Sequence, residues 1–327
     1  MAEIVVGIGT CHSPQLKIPL EKWDTMRVKD ERDPRLDYQG LLRGADPRFA
    51  EGATLEKWRK QHDAVHRALG IMCEVLLRSK PDVIVVIGDD QKENLLDDNM
   101  PMFCVYRGAK LLVQKRKRRP DNVWAKAGAA EWMEIAQRGL PEIPREYPGE
   151  PELAEHLVRH LSDQDFDLAC SNQLREEVGL GHAFTFLYEK LLPESRIVPL
   201  VPFMVNTYYP PNQPSPRRCY ALGQALRRAV EAWKGDKRVA IVASGGLSHV
   251  VLDEELDRLT IDAMRRKDKE RLCSLPRERL KGGTSETLNF VTLSAAMEPV
   301  DMELVDYVPV YRTPAGTGHG MTFAYWQ

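Results

Sequence analysis

Ile4 to Ile8 is a continuous apolar run, the pattern of a strand buried on both faces. Similar runs predict strands at Val83–Ile87, Asp167–Ser171, Arg196–Val201 and Arg238–Ala243, with closing strands at Tyr307–Tyr311 and Met321–Trp326. From Thr54 to Ser79 the period changes: Leu55, Trp58, His62, Val65, Leu69, Met72, Val75 and Leu76 recur at three- and four-residue steps, which predicts an amphipathic helix. Thr54 can cap it, although Lys57 three residues later makes no capping box. Further helices are predicted at Pro216–Lys234, Glu254–Arg266 and about Ser285–Met297. Strands alternating with helices predict an α/β fold, a central mixed sheet flanked by helices, with the active site at the C-terminal ends of the strands.

At 327 residues the chain fits either two domains or one large α/β domain. We expect one domain, 1–327, with lid-like insertions at about 22–49 and 108–151. With 43% hydrophobic and 29% charged residues, the composition excludes a disordered or collagen-like chain. Lys plus Arg number 46 against 48 Asp plus Glu, which gives no reason to expect nucleic acid or an anionic membrane as partner. The one basic block, Lys115–Arg119, reads as a solvated loop or as a lid that attracts an acidic small molecule. No stretch reaches the roughly 18 apolar residues of a membrane span, and the N-terminus reads as a strand rather than a secretory signal. Six cysteines without C-x-x-C spacing suggest reduced thiols and a cytoplasmic location.

Three strands end in unusual polar sequences. Gly7-Ile8-Gly9-Thr10-Cys11-His12 lacks the third glycine of a dinucleotide fingerprint, and Ser13-Pro14 follows where a helix would have to start. His12 is then either a hydrogen-bonded structural residue or a ligand. His249 leaves its strand through Ser244-Gly245-Gly246-Leu247-Ser248, where two glycines allow close backbone approach and positive φ, so an imidazole can face a pocket or the surface. At Asp89-Asp90-Gln91-Lys92-Glu93, acids and an amide crowd a strand end, which suits a hard cation, mutual pKa perturbation or a plain turn. Glu286 follows Gly282-Gly283-Thr284-Ser285 at a helix start, where a carboxylate also serves as a cap.

Taken together, these motifs resemble the class III extradiol ring-cleavage dioxygenases, the superfamily of protocatechuate 4,5-dioxygenase catalytic (beta) subunits, here as a single-chain member. The resemblance is carried in order by Gly9–Pro14, Lys80–Asp90, Pro151–Leu157 with Asp165–Leu168, and Pro202–Asn206 with Tyr209-Pro210-Pro211. It closes with Gly245–His249, Gly283–Glu286 and Pro309–Thr317. It implies Fe(II) held by two His and one carboxylate, with positions left open for substrate and dioxygen. His12 and Glu286 fall on ligand positions, and His249 on that of the catalytic acid/base. His156 matches a substrate-binding His, and His182 and Thr317 are placed beside it on the substrate side.

The family's second ligand His falls on Gln91. Its amide oxygen is one candidate ligand; Asp90, Glu93 or a neighbouring His are alternatives, with His182 able to compensate and mid-helix His62 the least suited. The function implied is non-haem Fe(II)-dependent extradiol cleavage of a catecholic ring by O2, on a hydroxybenzoate such as a gallate or protocatechuate derivative. The rivals are a hydrolase on the same scaffold using Zn(II) or Mn(II), and a non-catalytic binding protein that kept the fold. The partners expected are a small aromatic substrate, O2 and a second copy of the chain in a homodimer, with no nucleic acid and no membrane.

Overall fold

The structure, a computed structural model, describes residues 1–116 and 130–327. Its strands are β1 (Glu3–Cys11), β2 (Val83–Gly88), β3 (Phe103–Tyr106), β4 (Lys110–Val113), β5 (Arg145–Pro148), β6 (Ala169–Ser171), β7 (Leu200–Val205), β8 (Arg238–Gly245), β9 (His249–Val251), β10 (Met302–Tyr311) and β11 (Thr317–Trp326). Nine of them form one mixed sheet in the order β10-β11-β1-β8-β2-β7-β3-β6, with β9 pairing on β11; β4 and β5 form a separate pair. The centre, β1-β8-β2-β7, is parallel, while β11 and β3 join it antiparallel on either side.

Alternation along the central strands builds two cores. Val83, Val85 and Ile87 of β2, with Val239, Ile241 and Ala243 of β8, face one apolar layer that includes the helices Pro151–Ser162, Pro216–Ala232 and Thr287–Ala296. The intervening Ile84, Val86, Ala240 and Val242 face the other, against the helix Leu55–Arg78 and Ala183, Phe184 and Phe186. Parallel strands covered on both faces must read as unbroken apolar runs, which is what the sequence displays. The helix Thr287–Ala296 has every residue buried, as expected of one wrapped by other elements.

Thr54 caps Leu55–Arg78 by accepting the Lys57 N–H at 3.4 Å. Two side chains of that helix, Trp58 and Gln61, donate at 2.7 Å to the Tyr311 and Pro309 carbonyls of edge strand β10. One expectation needs correction: the strand predicted at Arg196–Val201 is Leu200–Val205. Pro202 stands inside the strand although proline cannot donate to a ladder. The structure accommodates it opposite Val86, where pairing with β3 covers only Phe203–Val205. Asp167–Ser171 likewise shortens to Ala169–Ser171. Of the basic block, Lys115 pairs with Glu142 and Arg116 with Glu93, while 117–119 lie outside the described residues.

Leu226 is fully buried between the sheet and its helices, so Leu226→Ala should cost about 2–5 kcal/mol. Ser215 only accepts the Arg218 N–H at the start of the same helix, so Ser215→Ala should cost about 1 kcal/mol. Urea unfolding followed by circular dichroism checks both values and their order.

Candidate metal centre

The four parallel strands point their carboxyl ends the same way, and the loops leaving them converge. His12 follows β1, Asp89 follows β2, and β8 runs through Ser244 and two glycines toward His249. Glu286 closes the short turn Gly282–Glu286 before the buried helix. Gly246 has φ +153, and a Cβ on it would lie 2.1 Å from His319 Nε2, so the turn after β8 requires glycine.

Glu286 is wholly buried. Its Oε2 lies 3.3 Å from His12 Nε2; its Oε1 lies 3.1 Å from His249 Nε2 and accepts the Gln91 amide N–H at 3.0 Å. The other ring nitrogens are engaged behind the site. His12 Nδ1 shares a 3.0 Å hydrogen bond with Ser244 Oγ, and His249 Nδ1 lies 2.9 Å from the Leu247 carbonyl. A carbonyl only accepts, so His249 keeps its proton on Nδ1 and exchanges protons at Nε2. Asp257 steadies that turn, accepting the Ser248 N–H and hydroxyl at 2.7 Å each. The cross-strand partner of His249 is His319, whose ring stacks on it at 4.3 Å and 11°.

Asp89 and His182 complete the cluster: one donor atom from each of His12, Asp89 and His182 lies within 4.8 Å of the other two. His12 and His182 meet edge to face at 4.7 Å. Among the described residues, neither Asp89 oxygen nor Glu286 Oε2 has a hydrogen-bond partner. Orphaned buried carboxylate oxygens are costly unless a cation faces them.

Burial pushes Asp89 up to about 8, with the charge of Glu286 adding to the effect. Burial also drives His12 down to about 3 despite Glu286, so the ring is neutral and one of its nitrogens keeps a lone pair. For Glu286, burial opposes ionisation, but the neighbouring imidazoles, His249 first, hold the carboxyl below its usual range. Three imidazoles and two carboxylates facing one space fit a divalent metal better than they fit one another.

Above the cluster lies a cavity of about 410 Å³ lined by His12, Gln91, His182, His249 and His319 among others. Lys17, Lys29, Arg35, Lys92, Arg116, Arg175 and Arg312 also line it; Glu93 and Glu177, which pair with Arg116 and Arg175, line it with them, whereas Glu189, Asp30 and Asp33, which pair with Lys17, Lys29, Arg35 and Arg312, stand outside the lining. The two expected insertions both contribute to this wall: Met26, Lys29 and Arg35 from the first, Arg116, Ala136 and Gln137 from the second.

The structure thus brings His12, Gln91, His182, His249 and Glu286 together. Glu93 lines the same cavity behind His182, whereas the remaining sequence candidates lie elsewhere. Asp90 spends its carboxylate on the backbone N–H groups of Glu93, Asn94 and Leu95. His156 bonds the Ala229 carbonyl at 2.8 Å, and Thr317 bonds Thr313 at 3.0 Å; neither lines the cavity. Asp89 was flagged in the sequence only as part of an acidic strand end, and His319 carried no local signal.

A family model described as the catalytic LigB subunit of aromatic ring-opening dioxygenase matches residues 50–320. The chain belongs to this family. Among curated proteins, the LigB-family chain is 41% identical over 116 residues to a gallate dioxygenase of Pseudomonas putida, covering 34% of this chain and 33% of the relative. It is 31% identical over 169 residues to a 2,3-dihydroxyphenylpropionate/2,3-dihydroxicinnamic acid 1,2-dioxygenase of Azotobacter vinelandii, covering 52% and 44%. A protein of the same description from Comamonas testosteroni is 25% identical over 186 residues, covering 57% and 49%. The matches therefore span a third to a half of these relatives. LigB dioxygenases are metal-dependent, which agrees with the orphaned oxygens of the cluster. His12 precedes the matched residues and joins the site on geometry alone.

Asp89 gives a prediction of two opposite signs. Its folded pKa, raised to about 8 from 3.8, means that the metal-free protein loses stability as pH rises between those values. Asp89→Asn should therefore raise the Tm of metal-free protein more at pH 8 than at pH 6, while lowering its metal content. Thermal unfolding at both pH values and metal analysis check the pair.

Proposed function

We propose that this chain catalyses extradiol cleavage of a catecholic ring by O2, using Fe(II) rather than Mn(II) or Zn(II), on a carboxylate-bearing substrate such as gallate or protocatechuate. The observation that carries the reading is the set of buried His12, Asp89 and Glu286 with half-buried His182, beneath a cavity lined by more basic than acidic side chains. Two imidazoles with carboxylate suit Fe(II) among first-row metals. In this reading His182 takes the position expected of Gln91. An ionised Glu286 only accepts, so Gln91 presents its NH2 group and its carbonyl oxygen is turned away from the shared carboxylate.

When bound, Fe(II) supplies open coordination positions and the electrons that let dioxygen react with an aromatic diolate. The rest falls to the chain. His249, its Nδ1–H fixed on Leu247, takes a proton at Nε2 from a substrate hydroxyl and later returns one. Ser248, held by Asp257, fixes the turn that aims this imidazole, and His319 keeps the ring flat against it. Arg116 and Arg175, though paired with Glu93 and Glu177, each keep one N–H without a hydrogen-bond partner among the described residues to offer the ring's carboxylate. The insertions act as lids that keep bulk water from the cavity. The relatives named gallate dioxygenase and dihydroxyphenylpropionate dioxygenase support the substrate class.

Protein reconstituted with Fe(II) without air should consume O2 on gallate or protocatechuate, with kcat/KM at least about 10-fold above that on unsubstituted catechol, since one charge-assisted hydrogen bond contributes about 1.5–3 kcal/mol. Oxygen-electrode assays over a catechol panel check this, and no uptake on any catechol sinks the reading. His249→Ala should keep its iron while kcat falls about 10²–10⁴-fold. Loss of iron in that variant would make His249 a ligand.

A further inference from the structure

Glu93 stands on the loop leaving β2, is only 8% exposed, and divides its carboxylate between two neighbours. Oε1 pairs with the Arg116 guanidinium. Oε2 accepts the backbone N–H of His182 at 3.0 Å and lies 3.0 Å from Nδ1 of the same residue. Gly181 permits the approach, because a Cβ there would sit 2.5 Å from Oε2. A carboxylate paired with a guanidinium only accepts, so Nδ1 carries a proton and Nε2 is the ring nitrogen left to face a metal. A carboxylate that merely pinned the loop would need the backbone N–H alone; here the ring is gripped as well.

We propose that Glu93 is the positioning residue of His182, fixing the tautomer and ring direction in which Nε2 donates to the metal, with Arg116 keeping the carboxylate charged. The inference rests on the reading of His182 as a metal ligand. A carboxylate behind a ligand imidazole sets its orientation and raises its basicity, and losing such a group typically costs about 10–100-fold in metal affinity.

The test is a Co(II) titration of the metal-free full chain, read by calorimetry and by the visible absorption of the Co(II) complex, with circular dichroism and Tm for each variant. Glu93→Ala should weaken Co(II) binding about 10–100-fold and alter the absorption bands. Glu93→Gln, whose carbonyl oxygen can still accept from Nδ1–H, should recover most of the loss. Gly181→Ala, which keeps Glu93 but displaces Oε2, should weaken binding too, and it decides the matter if Glu93→Ala does not fold. His182→Gln is the reference. If it weakens binding while Glu93→Ala and Gly181→Ala only lower Tm, with affinity and spectrum unchanged, Glu93 merely holds the loop and the proposal fails alone. If His182→Gln itself binds Co(II) as the wild type does, the metal reading is overturned and the role of Glu93 with it.

Discussion

Two carboxylates, Asp89 and Glu286, are buried within reach of the same imidazoles, and the site is organised around that constraint. Anionic groups removed from water demand a compensating cation or a set of donors. Glu286 draws His12, His249 and Gln91 onto itself, whereas the Asp89 oxygens lack a hydrogen bond of ordinary geometry among the described residues and burial pushes the carboxyl up to about 8. The protein thus carries a local electrostatic deficit that a divalent ion relieves. Such a deficit is tolerable only on a rigid base, and the parallel strands β1, β8 and β2, packed on both faces, supply it.

The central layer was legible in the chain because two-sided burial writes itself as apolar runs, seen in Val83–Ile87 and Arg238–Ala243. The exceptions have local causes. Pro202 lies inside β7, whose start reads too early at Arg196, β6 reads two residues too long, and β3 is too short to show a period. His12, His249 and Glu286 were legible because each stands at the end of a recognisable element. Asp89 and Asp90 were not separable, since adjacent residues leave a strand on opposite sides, and only the turn back to Glu93, Asn94 and Leu95 decides which carboxylate is spent on the backbone. His156 and His182 both read as pocket histidines, yet one packs on the carbonyl of a neighbouring helix and the other on a buried glutamate. Those partners lie 73 and 89 positions away, beyond any local pattern.

His249 and His319 illustrate how the sheet itself takes part in chemistry. They are register partners across β9 and β11, so their stacking follows from strand pairing rather than from loop conformation. The first ring moves a proton in the proposed reaction, and its neighbour is buried and pressed well below the usual imidazole range by burial and by the charge of His249. A neutral ring beside a titrating one limits its tilt without competing for the proton.

The attachment of Arg312 carries a consequence for altering substrate range by exchanging parts. Its guanidinium bonds Gln15 and Ser13, just beyond His12, and also reaches Asp30 in the first insertion. Residues about 300 positions apart in the chain are therefore joined in one buried polar cluster, of which Ser13 and Arg312 line the cavity. A transplanted segment that omits Asp30 leaves Arg312 without its carboxylate, and a recipient without Arg312 leaves Asp30 to Lys29 alone. Natural diversification of this pocket would then have to move in coordinated blocks, with the segment after His12, the first insertion and the β10–β11 connection changing as a unit.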